Sequence, residues 1–294
     1  MNTEQKLLKK PEKALSDLYL LSSPLDKKDS IVIDSKDIIL YGLCPRLYYV
    51  KSKYDKTFIN LRDLYDKSLH NTIYTYLLAL QRDELTDTLR LLKYQWGKEW
   101  IKYKNTRELV TSIGSLIIRR TISNRDSYED RRQRGIDAIF KFNDLMIKDK
   151  QCPIIINHKY EVPILPNIIL TGRFEYIREI TDDNNKKIFQ VVKFLSEKDS
   201  AYAQRTNVSI KYNMDLIAMS YAFSELFNVD YFESVLIDIE RQKIYTNIYG
   251  PKEYDLLKQS IKGIATCIYN NINYMIPGDK CYVCNYRKVC MDNI

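Results

Sequence analysis

The sequence predicts an α/β protein, of the α+β arrangement, with a central mixed β-sheet. Residues 58–82 and 85–148 place apolar side chains at spacings of three and four and contain almost no proline or glycine, which is typical of amphipathic helices. Three segments rich in Ile, Val, Tyr and Phe begin at Pro153 and have the composition of strands. An amphipathic stretch, two shorter strands and a final helix follow, and this order indicates one sheet with helices packed against it.

Length and composition indicate an ordered globular protein. The 294 residues are 45% apolar and 12% aromatic, which excludes wholesale disorder. No apolar run approaches the roughly 20 residues of a membrane helix, and the polar N-terminus lacks the pattern of a signal peptide. We therefore expect a soluble, intracellular protein without membrane contact, located in the cytoplasm, or in the host cytoplasm if the protein is viral.

The first half of the chain is predicted to be a leader followed by helices. Residues 1–30 are polar and charged, so we expect them to be flexible and the single domain to span 31–294. Residues 35–53 read as a short helix with Ser35 as a possible cap, and the proline after Cys44 suits the first turn of a helix. A helical subdomain is expected over 55–150.

The second half is predicted to supply the sheet core, over residues 151–250. The three consecutive strands form a meander, and the Asp-Asp-Asn-Asn run at 182–185 is a turn signal between the last two. The expected elements are strands at 153–164, 167–180 and 187–195, an amphipathic helix at 207–228, strands at 232–240 and 243–249, and a helix at 251–274.

Positive charge is concentrated in the helical third of the chain. The formal net charge is +8, and residues 88–135 alone carry twelve Lys and Arg against five Asp and Glu. Such an excess favours a polyanionic partner such as DNA. A solvated basic helical surface explains the same pattern, so the charge leaves both interpretations open.

Cysteines are concentrated in the last fourteen residues. Cys281, Cys284 and Cys290 form a Cys-x2-Cys-x5-Cys array there. The predicted cysteine-cluster region as a whole is 275–294. Zinc and [4Fe-4S] clusters both generally take four ligands, and Cys44 is the best candidate for the fourth because the remaining two, Cys152 and Cys267, lie in strongly apolar contexts. The spacing alone leaves both metals open, as well as small buried thiols.

Two motifs together carry a family resemblance. With Leu43-Cys44-Pro45-Arg46-Leu47-Tyr48-Tyr49 at one end and the cysteine array at the other, the chain resembles RecB-type PD-(D/E)XK nucleases with an iron-sulfur cluster, closest to the CRISPR-associated exonucleases called the fourth Cas protein. The likeness covers roughly residues 35–294. It implies a restriction-endonuclease-like core and a [4Fe-4S] cluster on the four cysteines, with zinc as the alternative.

The resemblance also implies an altered catalytic motif. His70 stands where the family places its helix histidine, and Glu175 takes the place of the first strand's aspartate in a Gly-Arg-x-Asp pattern. In the next strand, the natural register places Lys193 at the family's second carboxylate position and Leu195 at its lysine position. A register shifted by two keeps Lys193 as the lysine but leaves Val191 as the acid, so neither gives Asp/Glu-x-Lys. Family members hold Mg2+ or Mn2+ with these carboxylates to activate water. Here the pocket is more positive by one charge and short of one oxygen ligand, so divalent cation affinity should fall.

Two functions follow from the resemblance, and a third needs no DNA. The chain is either a nuclease acting on DNA ends or single-stranded DNA through His70 and Glu175, with weakened or lost cleavage, or a catalytically inactive DNA-binding module. A structural subunit of a DNA-processing complex, with a protein partner, is the remaining alternative. The residues expected to contact the DNA backbone are Lys98, Lys102, Arg119, Arg120, Arg131 and Lys193.

Overall fold

The computed structural model describes residues 30–54, 61–84, 87–113, 128–148, 153–181, 185–195 and 210–278, with Cys281, Cys284 and Cys290. The strands of this part of the chain are β1 (Ile31–Asp34), β2 (Pro153–Leu165), β3 (Ile168–Thr181), β4 (Lys187–Phe194), β5 (Glu233–Asp238) and β6 (Lys243–Asn247). Its α-helices are α1 (Ser35–Leu43), α2 (Pro45–Tyr54), α3 (Leu61–Gln81), α4 (Thr88–Ile113), α5 (Tyr128–Lys148), α6 (Met214–Phe227) and α7 (Pro251–Tyr269). Nearly all of the predicted leader and most of the predicted turn at 182–185 lie outside the described residues.

The six strands form one mixed sheet, as predicted. Its order is β1-β3-β4-β5-β6, with β2 paired to β3 as well. The pairs β2–β3 and β3–β4 are antiparallel, which confirms the meander, whereas β1–β3 and β4–β5 are parallel. β2 and β3 are joined through Asn167, whose φ of 60° is a left-handed conformation that asparagine tolerates in tight turns. Strand β1 was not predicted. Its pairing with β3 joins the chain's first described segment to the middle of the sheet.

Helices cover both faces of the sheet. On one face α1, α6 and α7 pack over a core that includes Ile33, Val191 and Leu216. On the other face α3, α4 and α5 pack over a second core that includes Trp96 and Phe194. Successive residues of a strand point to opposite faces. Lys193 therefore lies on the side of α1 and α6, and Phe194 on the side of the helical subdomain.

The predicted helix over 35–53 is interrupted at Cys44. Pro45 cannot donate the backbone hydrogen bond that would continue α1, but at the first position of α2 no such donor is needed. Cys44 is extended, donates its N–H to Leu40 O at 3.1 Å and accepts from Tyr48 N at 3.2 Å. Cys44 thus closes one helix and opens the next, and its side chain lies at their junction.

Two further boundaries differ from the prediction because local groups compete with the helix. Asn213 accepts a hydrogen bond from Leu216 N at 3.0 Å, so α6 begins at Met214 after a short 3-10 turn over Ile210–Tyr212. α7 ends at Tyr269, and residues 272–275 run on without helical structure. Within the described residues, no helix is long and apolar enough to cross a bilayer.

The helical subdomain contains a glycine that its packing requires. The indoles of Trp96 and Trp100 stack with centroids 5.2 Å apart, and a Cβ at Gly135 would overlap the Trp96 ring. Gly135→Ala should therefore destabilise the protein by about 1–3 kcal/mol, measured by chemical denaturation. The matched control is Gly97→Ala, because nothing lies within 4 Å of a Cβ there; it should be neutral or stabilising by up to about 1 kcal/mol. Equal effects at both positions would contradict this packing.

Candidate functional site

A buried cluster of charges lies where strands β3 and β4 separate. Their ladder runs from Thr181↔Lys187 to Tyr176↔Val192, and beyond it β4 stays paired only with β5. The Glu175 carboxylate fills the opening. It accepts the Phe194 backbone N–H at 2.8 Å with one oxygen and the Lys193 ammonium at 3.0 Å with the other. Glu175 thus accepts hydrogen bonds from a backbone N–H and a side-chain ammonium at the point where β3 and β4 no longer pair.

A second carboxylate reaches the same ammonium from helix α6. Asp215 Oδ2 lies 2.6 Å from Lys193 Nζ, and the three side chains are each no more than 10% exposed. Asp215 occupies the first turn of α6, where a negative charge also interacts favourably with the helix dipole. The Lys193 ammonium is therefore held between two buried carboxylates that come from a strand and a helix.

The pKa of Asp215 shows the effect of the Lys193 ammonium on this carboxyl group. Burial by itself raises the pKa of this carboxyl group, because a charge is costly away from water. The charge of Lys193, its hydrogen bond and that of Ser35, and the charge of Lys36 outweigh burial, so the pKa is lowered from its ordinary value. Asp215 is thus ionised at neutral pH and forms a true ion pair with Lys193.

His70 and Tyr74 border this cluster from helix α3. The His70 ring lies 6.4 Å from the Phe194 ring and 6.0 Å from the Tyr74 ring, centroid to centroid. Burial, and then the negative charge of Glu175, raise the pKa of Tyr74 well above its usual value. The structure therefore brings Glu175 and Lys193 into direct contact and sets His70 beside the neighbouring strand residue.

The residues predicted to contact DNA fall into three groups. Lys98 and Lys102 are exposed on α4, as a backbone contact requires. Arg131 is only 5% exposed and is one of the buried residues of the helical subdomain, so its DNA contact stays a prediction. Lys193 is 6% exposed and ion-paired, so it is not a surface contact. Arg119 and Arg120 lie outside the described residues.

A cleft opens beside the charge cluster. It has a volume of about 310 Å³ and reaches the Lys193 side chain at its base. Its walls come from α1 and from the start of α6, so the two helices that approach the charge cluster also form the cleft. The residues that line it are Ile38, Ile39, Gly42, Lys193, Tyr212, Asn213 and Met214.

Sequence reasoning gave too little weight to two residues of this cluster. Asp215 was not among the predicted site residues, although a carboxylate in the first turn of a mostly buried helix is a signal for a buried ion pair. Ser35 was interpreted only as a possible cap, a role that Asp34 fills by accepting from Lys36 N at 2.9 Å. Ser35 itself is 2% exposed and bonds Asp215.

The C-terminal tail is attached to the helix junction that carries Cys44. The Arg46 backbone N–H donates to Tyr274 O at 3.1 Å, and the Tyr41 hydroxyl donates to Ile272 O at 2.7 Å. Further along the tail, Cys290 Sγ lies 3.7 Å from Met275 Sδ. Tail residues 272–275 thus contact both the helix junction at Cys44 and the Cys290 thiol.

The donor chemistry of this region suits a thiolate-bound metal. Cys44, Cys281, Cys284 and Cys290 are all thiols of intermediate burial outside any disulfide, and Cys281 Sγ lies 3.9 Å from Ile276 O on the same tail. In the described part of the chain, no three His, Cys, Asp or Glu side chains are arranged as a ready metal site. The observed contacts link Cys281 and Cys290 to the tail segment that also contacts the α1–α2 junction, and Cys152 lies outside the described residues.

Comparison with known proteins identifies no family. No family model matches the chain, and no curated protein matches it. Among solved structures, the chain is similar to one titled "Crystal structure of SSO0001", with 13% sequence identity and a TM-score of 0.38, over 99% of this chain and 97% of that one. A likeness of this degree supports no conclusion about fold or function.

Proposed function

We propose that the protein is a nuclease-like, iron-sulfur DNA-binding protein that binds DNA ends or single strands and has lost metal-dependent cleavage. One observation carries the loss of cleavage. The Lys193 ammonium lies between the Glu175 and Asp215 carboxylates, 3.0 and 2.6 Å from their oxygens. In nucleases of the kind that the sequence resembles, carboxylates from two strands and a helix histidine hold the divalent cation, and Lys193 stands at the second of those carboxylate positions.

The ammonium excludes a divalent cation for two reasons. Mg2+ and Mn2+ need oxygen ligands close to 2 Å away, and both carboxylates already give an oxygen to Lys193. A second cation a few ångströms from the ammonium would also be repelled, strongly so in a site screened from water. Without the ion, nothing in the cluster activates a water molecule or neutralises the charge that develops on an attacked phosphate.

The residue two positions after Lys193 also supports the loss of cleavage. Leu195 stands where the resembled nucleases have a lysine that helps to position the attacking water, and it is apolar and 9% exposed. Its backbone N–H donates to Ile237 O at 2.9 Å, so Leu195 stays bonded to β5 just after β4 ends. Both the metal and the lysine of the reaction are therefore replaced, whereas the surrounding sheet remains intact.

DNA binding without cleavage needs exposed cations instead of a metal. Lys98 and Lys102 are exposed on α4 within the basic region of the sequence, and each phosphate that such side chains neutralise adds salt-sensitive affinity. Binding should therefore be indifferent to Mg2+ and Mn2+ and should weaken steeply with salt. If the protein still cleaves DNA, the hypothesis of an active nuclease applies instead.

One preparation tests this proposal. The affinity of the full chain for a fluorescent single-stranded oligonucleotide is measured over a range of KCl concentrations, with Mn2+ or with EDTA, and the same samples are run on a denaturing gel. We expect the same Kd with Mn2+ and EDTA, and intact DNA. Lys98→Gln with Lys102→Gln should reduce the salt slope, whereas Lys258→Gln with Lys262→Gln on α7 is the charge-matched control. Degradation that depends on Mn2+ would overturn the proposal.

The cysteine region would hold the cluster. Cys44, Cys281, Cys284 and Cys290 would be its ligands, and the bound centre would join the tail to the α1–α2 junction. Anaerobically purified protein should contain about four iron atoms per chain by elemental analysis if the centre is [4Fe-4S], or one zinc in the alternative. Cys281→Ser should lose most of that metal and lower the melting temperature. Cys267→Ser is the control thiol and should keep the metal; equal metal content in both variants would contradict this ligand set.

A further inference from the structure

We propose that the cleft between α1 and α6 receives one nucleobase of a bound single strand. This inference rests on the proposed DNA binding and adds the place and the chemistry of recognition. At about 310 Å³ the cleft lies at the small end of ligand-binding clefts, and it suits one ring system with its sugar better than a large cofactor.

The walls of the cleft have the composition that a flat, unpaired base requires. Tyr212 presents its ring at the rim and is 62% exposed, so a base can stack on it without displacing protein. Ile38, Ile39 and Met214 supply apolar surface, and Ile39 is 41% exposed. Stacking on such surfaces tolerates any base sequence, as a protein that acts on DNA ends needs.

Positive charges lie at the positions where the attached phosphates would run. The Lys211 ammonium lies 5.7 Å from the centroid of the Tyr212 ring, and Lys36 is exposed on the first turn of α1. Lys193 also lines the cleft, but its charge is already paired with Glu175 and Asp215, so it is not one of the phosphate contacts. A single strand could therefore place a base against Tyr212 while its phosphates contact Lys211, in the 3-10 turn before α6, and Lys36 on α1.

Gly42 provides a direct way to close the cleft. It lies on α1 in the wall, is exposed, and has nothing within 4 Å of the position that a Cβ would take. A Cβ at this position therefore meets no clash, and Gly42→Leu adds an apolar side chain to the cleft wall and improves helix propensity. Gly263 on α7 is also exposed with nothing within 4 Å, so Gly263→Leu is the matched control away from the cleft.

The test compares an oligothymidylate with an abasic oligonucleotide of the same length, because the two differ in bases and share their phosphates. The wild type should bind the oligothymidylate about 5- to 150-fold more tightly, the range expected for one stacked base. Gly42→Leu and Tyr212→Ala should abolish that preference and leave the abasic affinity unchanged, and Gly263→Leu should behave like the wild type.

The results that would overturn the DNA-binding proposal differ from those that would overturn only the base site. If the wild type binds neither oligonucleotide, the proposed DNA binding and this inference are both overturned. If it binds both but Gly42→Leu retains the full preference for bases, the DNA-binding proposal survives and the cleft is not the base site.

Discussion

Replacing Lys193 with methionine is expected to lower the free energy of unfolding at pH 7 by about 3–5 kcal/mol, the usual cost of removing one partner from a buried ion pair. Methionine preserves most of the volume, so the loss reports the charge. Glu175 and Asp215 would remain buried as carboxylates with their shared cation gone. The measurement is urea denaturation followed by circular dichroism.

The same strand supplies the control. Lys187 on β4 also pairs with a carboxylate across the β3–β4 ladder, at 2.6 Å from Glu179, but its side chain is 73% exposed. Lys187→Met should therefore cost less than about 1 kcal/mol, because water screens exposed pairs. If the two variants lose similar stability, the buried cluster is not a strong ion pair.

The loss at Lys193 should depend on pH in a definite direction. In the wild type the pKa of Asp215 is lowered, so this carboxylate stabilises the fold above its unfolded pKa of about 3.9, and that stability is lost as the pH falls through the lower folded value. In Lys193→Met the charge and hydrogen bond of Lys193 no longer lower the pKa of Asp215, so burial raises that pKa above its unfolded value. The variant therefore gains stability as the pH falls, and its deficit against the wild type should be smaller at pH 4.5 than at pH 7.

Replacing Lys193 with alanine is expected to create a divalent cation site in place of the ammonium. Alanine removes the charge and leaves space between two carboxylate oxygens that both lay within 3.0 Å of Lys193 Nζ. Mn2+ should then stabilise the variant, by about 2.7 kcal/mol when its concentration is a hundred times the Kd. Thermal unfolding at increasing Mn2+ concentrations measures this gain.

Two comparisons keep that result specific. Lys193→Met fills the same space with an apolar side chain, so Mn2+ should not rescue it, and wild-type stability should not depend on Mn2+ at all. Rescue of both variants alike would place the ion elsewhere. Failure of Mn2+ to stabilise Lys193→Ala at any concentration would mean that the two carboxylates do not form a cation site.

The fold was largely predictable because its signals are local. The strand segments from Pro153 onward match β2, β3 and β4 to within about one residue at each end, since runs of β-branched and aromatic residues bounded by turns mark strands directly. The helix break at Cys44 was less visible, although Pro45 was correctly expected in a first turn. Strand β1 has only four residues and pairs with β3 more than a hundred residues later, so no local pattern indicates it.

The candidate site was predictable only in part because its defining contacts join distant segments. The substitution of Lys193 and Leu195 into the expected motif is readable from the sequence, but the partner on the far side of the ammonium is not. Asp215 meets Lys193 only after the chain has crossed to α6, and Ser35 joins them from α1. Whether a lysine in such a position points to solvent or into a carboxylate pair depends on packing that sequence spacing does not specify.

The most direct test of the internal cation is anomalous diffraction at the manganese edge from crystals of the wild type and of Lys193→Ala, both soaked in the same Mn2+ solution. We expect a manganese peak between Glu175 and Asp215 in Lys193→Ala and, in the wild type, the Lys193 ammonium at that position with no manganese beside it. A manganese peak between the two carboxylates of the wild type, with the Lys193 side chain displaced, would contradict the claim that this ammonium replaces the metal.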